Sequence, residues 1–266
     1  MCRLSGALIS AVSAIAFIQI ASAADMPVKA PLAPIAAPYS WTGLYVGGNI
    51  GYGWASNTGG GFTSLTDPGL GFAGYFAAVA EILPGVKPKG AIGGLQIGHN
   101  WQVSPMWVWG LVADIQASGM KGSATASIDP VGFANSIQSN ESKILWFGTA
   151  RAKAGIASNN WLIYGTGGLA YGGVKNSTAL NCATCAPPGF WAGSTSSTRV
   201  GWTVGAGLNY GLTPNWILGA EYLYFDLGSI STTAILTSGP YPGVAFTSNS
   251  KFRGSIARVS LDYKFN

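Results

Sequence analysis

Seven charged side chains carry most of the chemistry this sequence could do. Asp114, Arg151, Lys153, Glu221, Arg258, Asp262 and Lys264 all fall on the polar side of segments whose residues alternate between apolar and small or polar. Gathered inside a closed structure, they would do one of two things. They could neutralise one another as a salt-bridge plug, or they could line a charged constriction that selects ions. The plug is the preferred expectation where the enclosed space is narrow enough to be filled by side chains.

The other reactive groups are few. His99 is the single histidine. A Ser-His-acid hydrolase would need a serine and a carboxylate beside it. Its neighbours by parity are Leu95, Ile97 and Trp101, so an interfacial side chain replacing an aromatic is the expectation. A lone histidine also gives no metal-ligand spacing. Cys182 and Cys185 form one C-x-x-C. A zinc ribbon needs a second pair, and a thioredoxin-type motif needs its own fold. In an oxidising compartment a small disulfide loop is the default. No catalytic set, metal, cofactor or nucleic-acid signature is assigned.

The elements that must position these groups follow from composition and period. Only 9% of the 266 residues are charged, against about 25% in an ordinary soluble domain, so a solvated globular surface is hard to build. Mean hydropathy is +0.31, and there are 10 Trp, 11 Tyr and 11 Phe, which argues against disorder. The uncharged stretches Ala154–Val174 and Val200–Ala220 are long enough to span a membrane as helices. Their period decides otherwise. Leu44, Val46, Ile50, Tyr52 and Trp54 face one way, and Gly47, Asn49, Gly51 and Gly53 the other. That is period two, a strand with one greasy face. Segments 41–54, 91–102, 107–117, 143–157, 161–174, 199–211, 216–226 and 251–265 follow the same rule. Each is long enough for a tilted membrane strand, which needs about 9–11 residues.

The gaps alternate too. Short ones at 103–106, 158–160 and 212–215 carry Ser-Pro, Asn-Asn and Thr-Pro-Asn, which is turn chemistry. Long ones lie at 55–90, 118–142, 175–198 and 227–250. Short periplasmic turns and long outer loops are the plan of a membrane β-barrel. On that plan Trp41, Trp101, Trp107, Trp161, Trp216 and Phe265 form an aromatic girdle at the periplasmic rim. Tyr52, Trp54, Tyr171, Trp202, Tyr222 and Tyr224 form the outer one. The expected fold is all-β, an eight-stranded antiparallel up-and-down transmembrane barrel. Inward glycines such as Gly47, Gly51, Gly53, Gly205 and Gly207 open some lumen space, while Phe147, Leu223 and Phe225 fill it. The Gly59-Gly60-Gly61 and Ser194–Thr198 stretches suggest mobile loops.

Several ordered pieces resemble one family. They include Ala24-Asp25-Met26-Pro27, then Trp41-Thr42-Gly43-Leu44-Tyr45-Val46-Gly47-Gly48-Asn49. Others are Gln96-Ile97-Gly98-His99-Asn100-Trp101-Gln102, Trp146-Phe147-Gly148-Thr149 and Tyr171-Gly172. The last are Glu221-Tyr222-Leu223-Tyr224 and Asp262-Tyr263-Lys264-Phe265. Across 24–266 the chain is similar to the alphaproteobacterial outer-membrane β-barrel proteins of the outer-membrane immunogenic or RopB-like type. The resemblance implies an OmpA-type eight-stranded barrel of the porin-family label. It also implies surface exposure, an envelope role and antigenicity, with no catalytic residues. It implies that the barrel-insertion machinery reads the end at Tyr263 and Phe265. That family usually closes on Phe; here Asn266 follows Phe265.

The expected organisation has three parts. Residues 1–23 read as a signal peptide, with Arg3, an apolar run and Ala21-Ser22-Ala23. Residues 24–40 read as a Pro/Ala-rich periplasmic segment, and 41–266 as the barrel. The expected place is the Gram-negative outer membrane, with extracellular loops and both termini periplasmic. Expected partners are outer-membrane lipids and lipopolysaccharide. The expected function is a surface-exposed structural barrel. A narrow porin-like channel is the alternative, and a ligand receptor or lipid-modifying barrel enzyme comes behind it.

Overall fold

The computed structural model describes residues 39–56, 61–79, 85–128 and 135–265. The expected signal peptide, nearly all of the Pro/Ala segment, Gly59-Gly60 and the terminal Asn266 lie outside the described residues. The elements run β1 (Gly43–Ser56), β2 (Phe62–Thr66), α1 (Ala73–Val79), β3 (Lys89–Gln102), β4 (Trp107–Ile128) and β5 (Ser136–Ser158). They continue β6 (Trp161–Cys182), β7 (Gly189–Gly211), β8 (Trp216–Ser238) and β9 (Ala245–Lys264).

Eight long antiparallel strands pair in the order β1-β3-β4-β5-β6-β7-β8-β9, and β9 pairs back onto β1. The ring is therefore closed and has no free edge along its main wall. The register at closure sets Tyr45 opposite Lys264 and Ser56 opposite Arg253. Beyond the end of β1, the short β2 takes its place against β9, from Phe62 with Ser248 to Thr66 with Ala245.

The alternation read from sequence is the alternation of the wall. Leu44, Val46, Ile50, Tyr52 and Trp54 are exposed on the outside, while Tyr45 is buried in the lumen. Short turns join β3 to β4, β5 to β6 and β7 to β8. Asn159 sits at φ +51, a left-handed conformation that asparagine tolerates. The Ser104 hydroxyl accepts from the Trp107 N–H at 3.1 Å, and Thr213 Oγ1 accepts from the Trp216 N–H at 3.1 Å.

Three of the four long gaps, 118–142, 175–198 and 227–250, are largely paired strand among the described residues. The hairpins β4–β5, β6–β7 and β8–β9 stay paired far past the predicted ends, so Ser194–Thr198 is a stretch of β7. Their Thr and Ser content suits a half-exposed pleated surface as well as it suits a loop. Bulges reset the phase where the segments meet. In β8, Leu223, Phe225 and Leu227 face inward, then Ile230 and Ala234 do. The shift falls between Asp226 and Ser229, at Gly228 with φ +75.

Candidate functional site

The lumen is filled in layers. At the short-turn end, Trp41, Val108, Ala157, Leu162, Tyr164 and Ile217 form an apolar cluster, with Tyr39 packed on it. Above it lies a layer of charges. Next comes a larger cluster that includes Met120, Ile144, Phe147, Leu223, Phe225, Phe252 and Ile256. A polar layer follows, in which Ser142 donates to Asn176 Oδ1 at 2.6 Å and Asn176 donates to Thr232 Oγ1 at 3.1 Å. The long-hairpin end is closed by Phe62, Tyr75, Leu180, Cys182, Trp191, Ala234, Val244 and Phe246, with Phe72 and Tyr241 against them.

Four of the seven predicted lumen charges form one closed ring. Arg151 reaches Asp114 at 3.1 Å and Glu221 at 2.6 Å; Arg258 reaches the same two acids at 2.9 and 2.6 Å. They come from β5, β4, β8 and β9, on opposite sides of the strand order, so the ring ties walls together across the lumen. Thr149 donates to Asp114 Oδ2 at 2.7 Å, and Gln116 Nε2 to its other oxygen at 3.1 Å. Two arginines and two carboxylates leave the ring formally neutral. Facing each other inside, they avoid the about 2–4 kcal/mol that a charge on the lipid face costs.

The other three charges are buried in the lumen but lie outside the ring. Lys153 donates to Tyr45 Oη at 2.9 Å and lies over the Tyr45 and Tyr164 rings, 4.7 and 5.1 Å from their centroids. Asp262 accepts from Gln96 Nε2 at 2.7 Å and from Ser260 at 3.2 Å. Lys264 donates to the Ser40 carbonyl, and its Nζ sits 4.6 Å from the Tyr39 centroid. Between ring and satellites a cavity lined by Tyr45, Lys153, Glu221 and Asp262 leaves about 20 Å³ for a water-sized centre, room for one water.

The inward glycines do not open a path. A Cβ on Gly207 would meet the hydroxyl of Tyr164, and one on Gly98 would meet that of Tyr45. These glycines are the seats of the two tyrosines that fill the lumen over Lys153.

Outside, five of the six residues predicted for the first girdle stand exposed: Trp101, Trp107, Trp161, Trp216 and Phe265. Trp161 meets Tyr210 at 4.5 Å, and Trp216 meets Tyr263 at 5.3 Å. Trp41 is the correction. It is 0% exposed and sits in the lumen plug, its backbone N–H donating to Gln102 Oε1 at 3.0 Å. Its odd number puts it in phase with the inward Tyr45, so its place at the rim does not make it face lipid. At the other rim Trp54 meets Tyr222 at 6.2 Å and Trp202 meets Tyr224 at 5.5 Å. His99 meets Trp101 in a tilted contact at 4.4 Å on the outer wall, away from the lumen acids. Cys182 and Cys185 are joined as a disulfide at the end of β6.

Sequence reasoning misses the closing cluster. Phe62, Phe72 and Tyr75 fall in a predicted loop; they fold back over the barrel and meet Trp191 and Phe246. Phe72 is 5.9 Å from Trp191, and Phe62 is 5.0 Å from Phe246. Aromatics in an otherwise Gly-rich gap are the available signal.

A closed wall that is apolar outside, with short turns and long hairpins alternating along the chain, agrees with the comparison to known families. Residues 12–265 match the outer membrane protein beta-barrel domain. The chain belongs to that family. This outer-membrane β-barrel is similar to a 31 kDa outer-membrane immunogenic protein of Brucella melitensis biotype 1. The two are 37% identical over 257 residues, covering 94% of this chain and 95% of that protein. It is also 28% identical over 253 residues to a 25 kDa outer-membrane immunogenic protein of Brucella abortus biovar 1, covering 95% and 92%. A 22 kDa outer membrane protein of Rhizobium leguminosarum bv. viciae is 34% identical over 132 residues, half of each chain. The barrel is thus an outer-membrane protein of the type found in these alphaproteobacteria, as the motifs implied.

Proposed function

We propose that this outer-membrane β-barrel is a closed structural element of the envelope that neither conducts nor catalyses. In this reading its long hairpins are displayed outside as a rigid surface. The short turns and both termini face the periplasm. The carrying observation is the stack across the lumen: three apolar clusters separated by an ionic and a polar layer. An ion would have to cross every apolar layer, and each bars a hydrated charge. The neutral ring acts as a cross-brace between opposite walls and not as a filter. Phe265, exposed beside Tyr263 at 5.1 Å, is the pair this reading gives to the insertion machinery.

Planar-bilayer recording of the refolded chain without residues 1–23 tests the reading. The expected record is free of stable steps. Steady large steps from pure monomer, lost on blocking the lumen near Gly205, would establish a pore instead.

A further inference from the structure

Four lysines stand side by side on the outer wall. The register pairs Lys89 with Lys121, Lys121 with Lys143, and Lys143 with Lys175, one on each of β3, β4, β5 and β6. The neighbours Ser142 and Asn176 are buried in the lumen, which turns Lys143 and Lys175 outward. Like charges directly opposite one another on a sheet are destabilising. Among the described residues the rung's one ion pair is Lys143 with Glu141, at 2.8 Å. A row of this kind calls for an anion with several negative charges.

Its height says which. Trp107, in the girdle at the short-turn rim, and Lys121 share β4. Their separation of 14 steps, 121 − 107, covers about 35 Å at ~3.3 Å per residue and ~40° tilt, beyond the ~25 Å apolar band. Just below the rung the wall is apolar, with Ala117 opposite Trp146 and Leu145 exposed. Just above it the next rung is Ser123, Glu141, Ser177 and Ser194 in register. These line a groove of about 570 Å³ with Thr125 and Ser139. Ser177 and Ser194 share a hydrogen bond of 3.0 Å there.

We propose that this face binds a phosphorylated glycolipid of the outer leaflet: acyl chains on the apolar wall, phosphates on the lysine rung, sugar in the hydroxyl-lined groove. The three bands follow one another along the same strands in the order in which such a lipid carries these groups. The proposal rests on the outer-membrane reading above and gives that barrel a specific lipid partner.

Native mass spectrometry of the full chain in non-ionic detergent tests it against four probes. These are a bisphosphorylated diglucosamine lipid, its dephosphorylated form, dioleoyl phosphatidic acid and inorganic phosphate. The first should bind most tightly, phosphatidic acid less, and the other two weakly. The triple substitution Lys121→Gln, Lys143→Gln, Lys175→Gln should weaken the bisphosphorylated lipid by about fivefold per lysine, about a hundredfold in all. The corresponding triple Arg substitution should retain it. Retention by the Gln variant to within about twofold overturns the site, as does equal binding of the dephosphorylated form. Equal binding of phosphatidic acid and glycolipid removes the groove from it. Inorganic phosphate competing at stoichiometric levels would make the rung a free-anion site and refute the lipid. All forms are first checked for heat-modifiable migration and insertion into vesicles. A wild type that does not insert refutes the membrane reading itself, whereas inserted barrels that ignore the phosphates refute this site alone.

Discussion

Arg151 and Glu221 stand 70 residues apart in the chain and 2.6 Å apart in the lumen. Glu221 also takes two bonds from Arg258, at 2.9 and 2.6 Å. Each acid in the ring thus serves two arginines, and each arginine two acids. Replacing a whole buried ion pair by apolar groups can be neutral, but removing one partner strands the others. Glu221→Ala should therefore cost about 3–5 kcal/mol, because Arg151 and Arg258 would share Asp114 alone. The check is a urea midpoint for folding in lipid. A midpoint equal to wild type would mean that the lumen is wet enough to solvate both guanidinium groups.

The three short turns lie on one rim, and the tips of the long hairpins on the other. Epitope tags inserted at Pro187 and Pro240 should label on whole cells, whereas tags at Pro105 and Pro214 should not. The tips are the places for tags because 118–128 and 189–198 are paired strand, where an insertion would break the ladder. Whole-cell labelling at Pro214 would invert the orientation.

How much of this is legible in the sequence depends on what carries the signal. The membrane wall is legible, because lipid outside and side chains inside impose a period of two on every strand. Glu221 with Arg258 and Arg151 is legible for the same reason: charges confined to one parity have only each other to face. Trp41 misleads, because its rim position suggests lipid while its parity points it inward. The upper half of the barrel is not legible, because its strands still alternate in and out but bury polar groups such as Gln138, Asn140 and Ser142 while Ile137 is exposed. No apolar–polar period therefore marks them, and Ser194–Thr198 reads alike as strand or loop. The cover made by Phe62, Phe72 and Tyr75 depends on long-range packing against Trp191 and Phe246, which no local pattern announces.

The disulfide should matter locally. Cys182 and Cys185 are three residues apart, so the bridge closes a very short loop. A chain-entropy estimate for such a loop is about 2 kcal/mol. Cys182 is buried in the cluster that closes the long-hairpin end, so its effect should be felt there. Cys185→Ser should raise amide exchange around 178–192 and leave exchange near Asp114 and Arg258 unchanged. A uniform rise along all strands would show that the bridge stabilises the whole barrel.

The last prediction concerns the seat of Tyr164. Its hydroxyl donates to Glu221 Oε1 at 3.2 Å, and its ring helps close the short-turn end. It can lie there because Gly207 on the neighbouring strand offers no side chain; a Cβ would meet the Tyr164 hydroxyl and stand 2.5 Å from Cζ. Gly207→Val should drive the ring from its seat and loosen its bond to the ring of charges, costing about 1–3 kcal/mol as an overpacked site. Tyr164→Ala alone should cost about 3–5 kcal/mol by leaving a cavity. Together the two changes should cost clearly less than their sum, because the valine partly fills the space the tyrosine leaves and no clash remains. Urea midpoints of the four members of this cycle measure the coupling directly, and additivity would show that Gly207 and Tyr164 do not share one space.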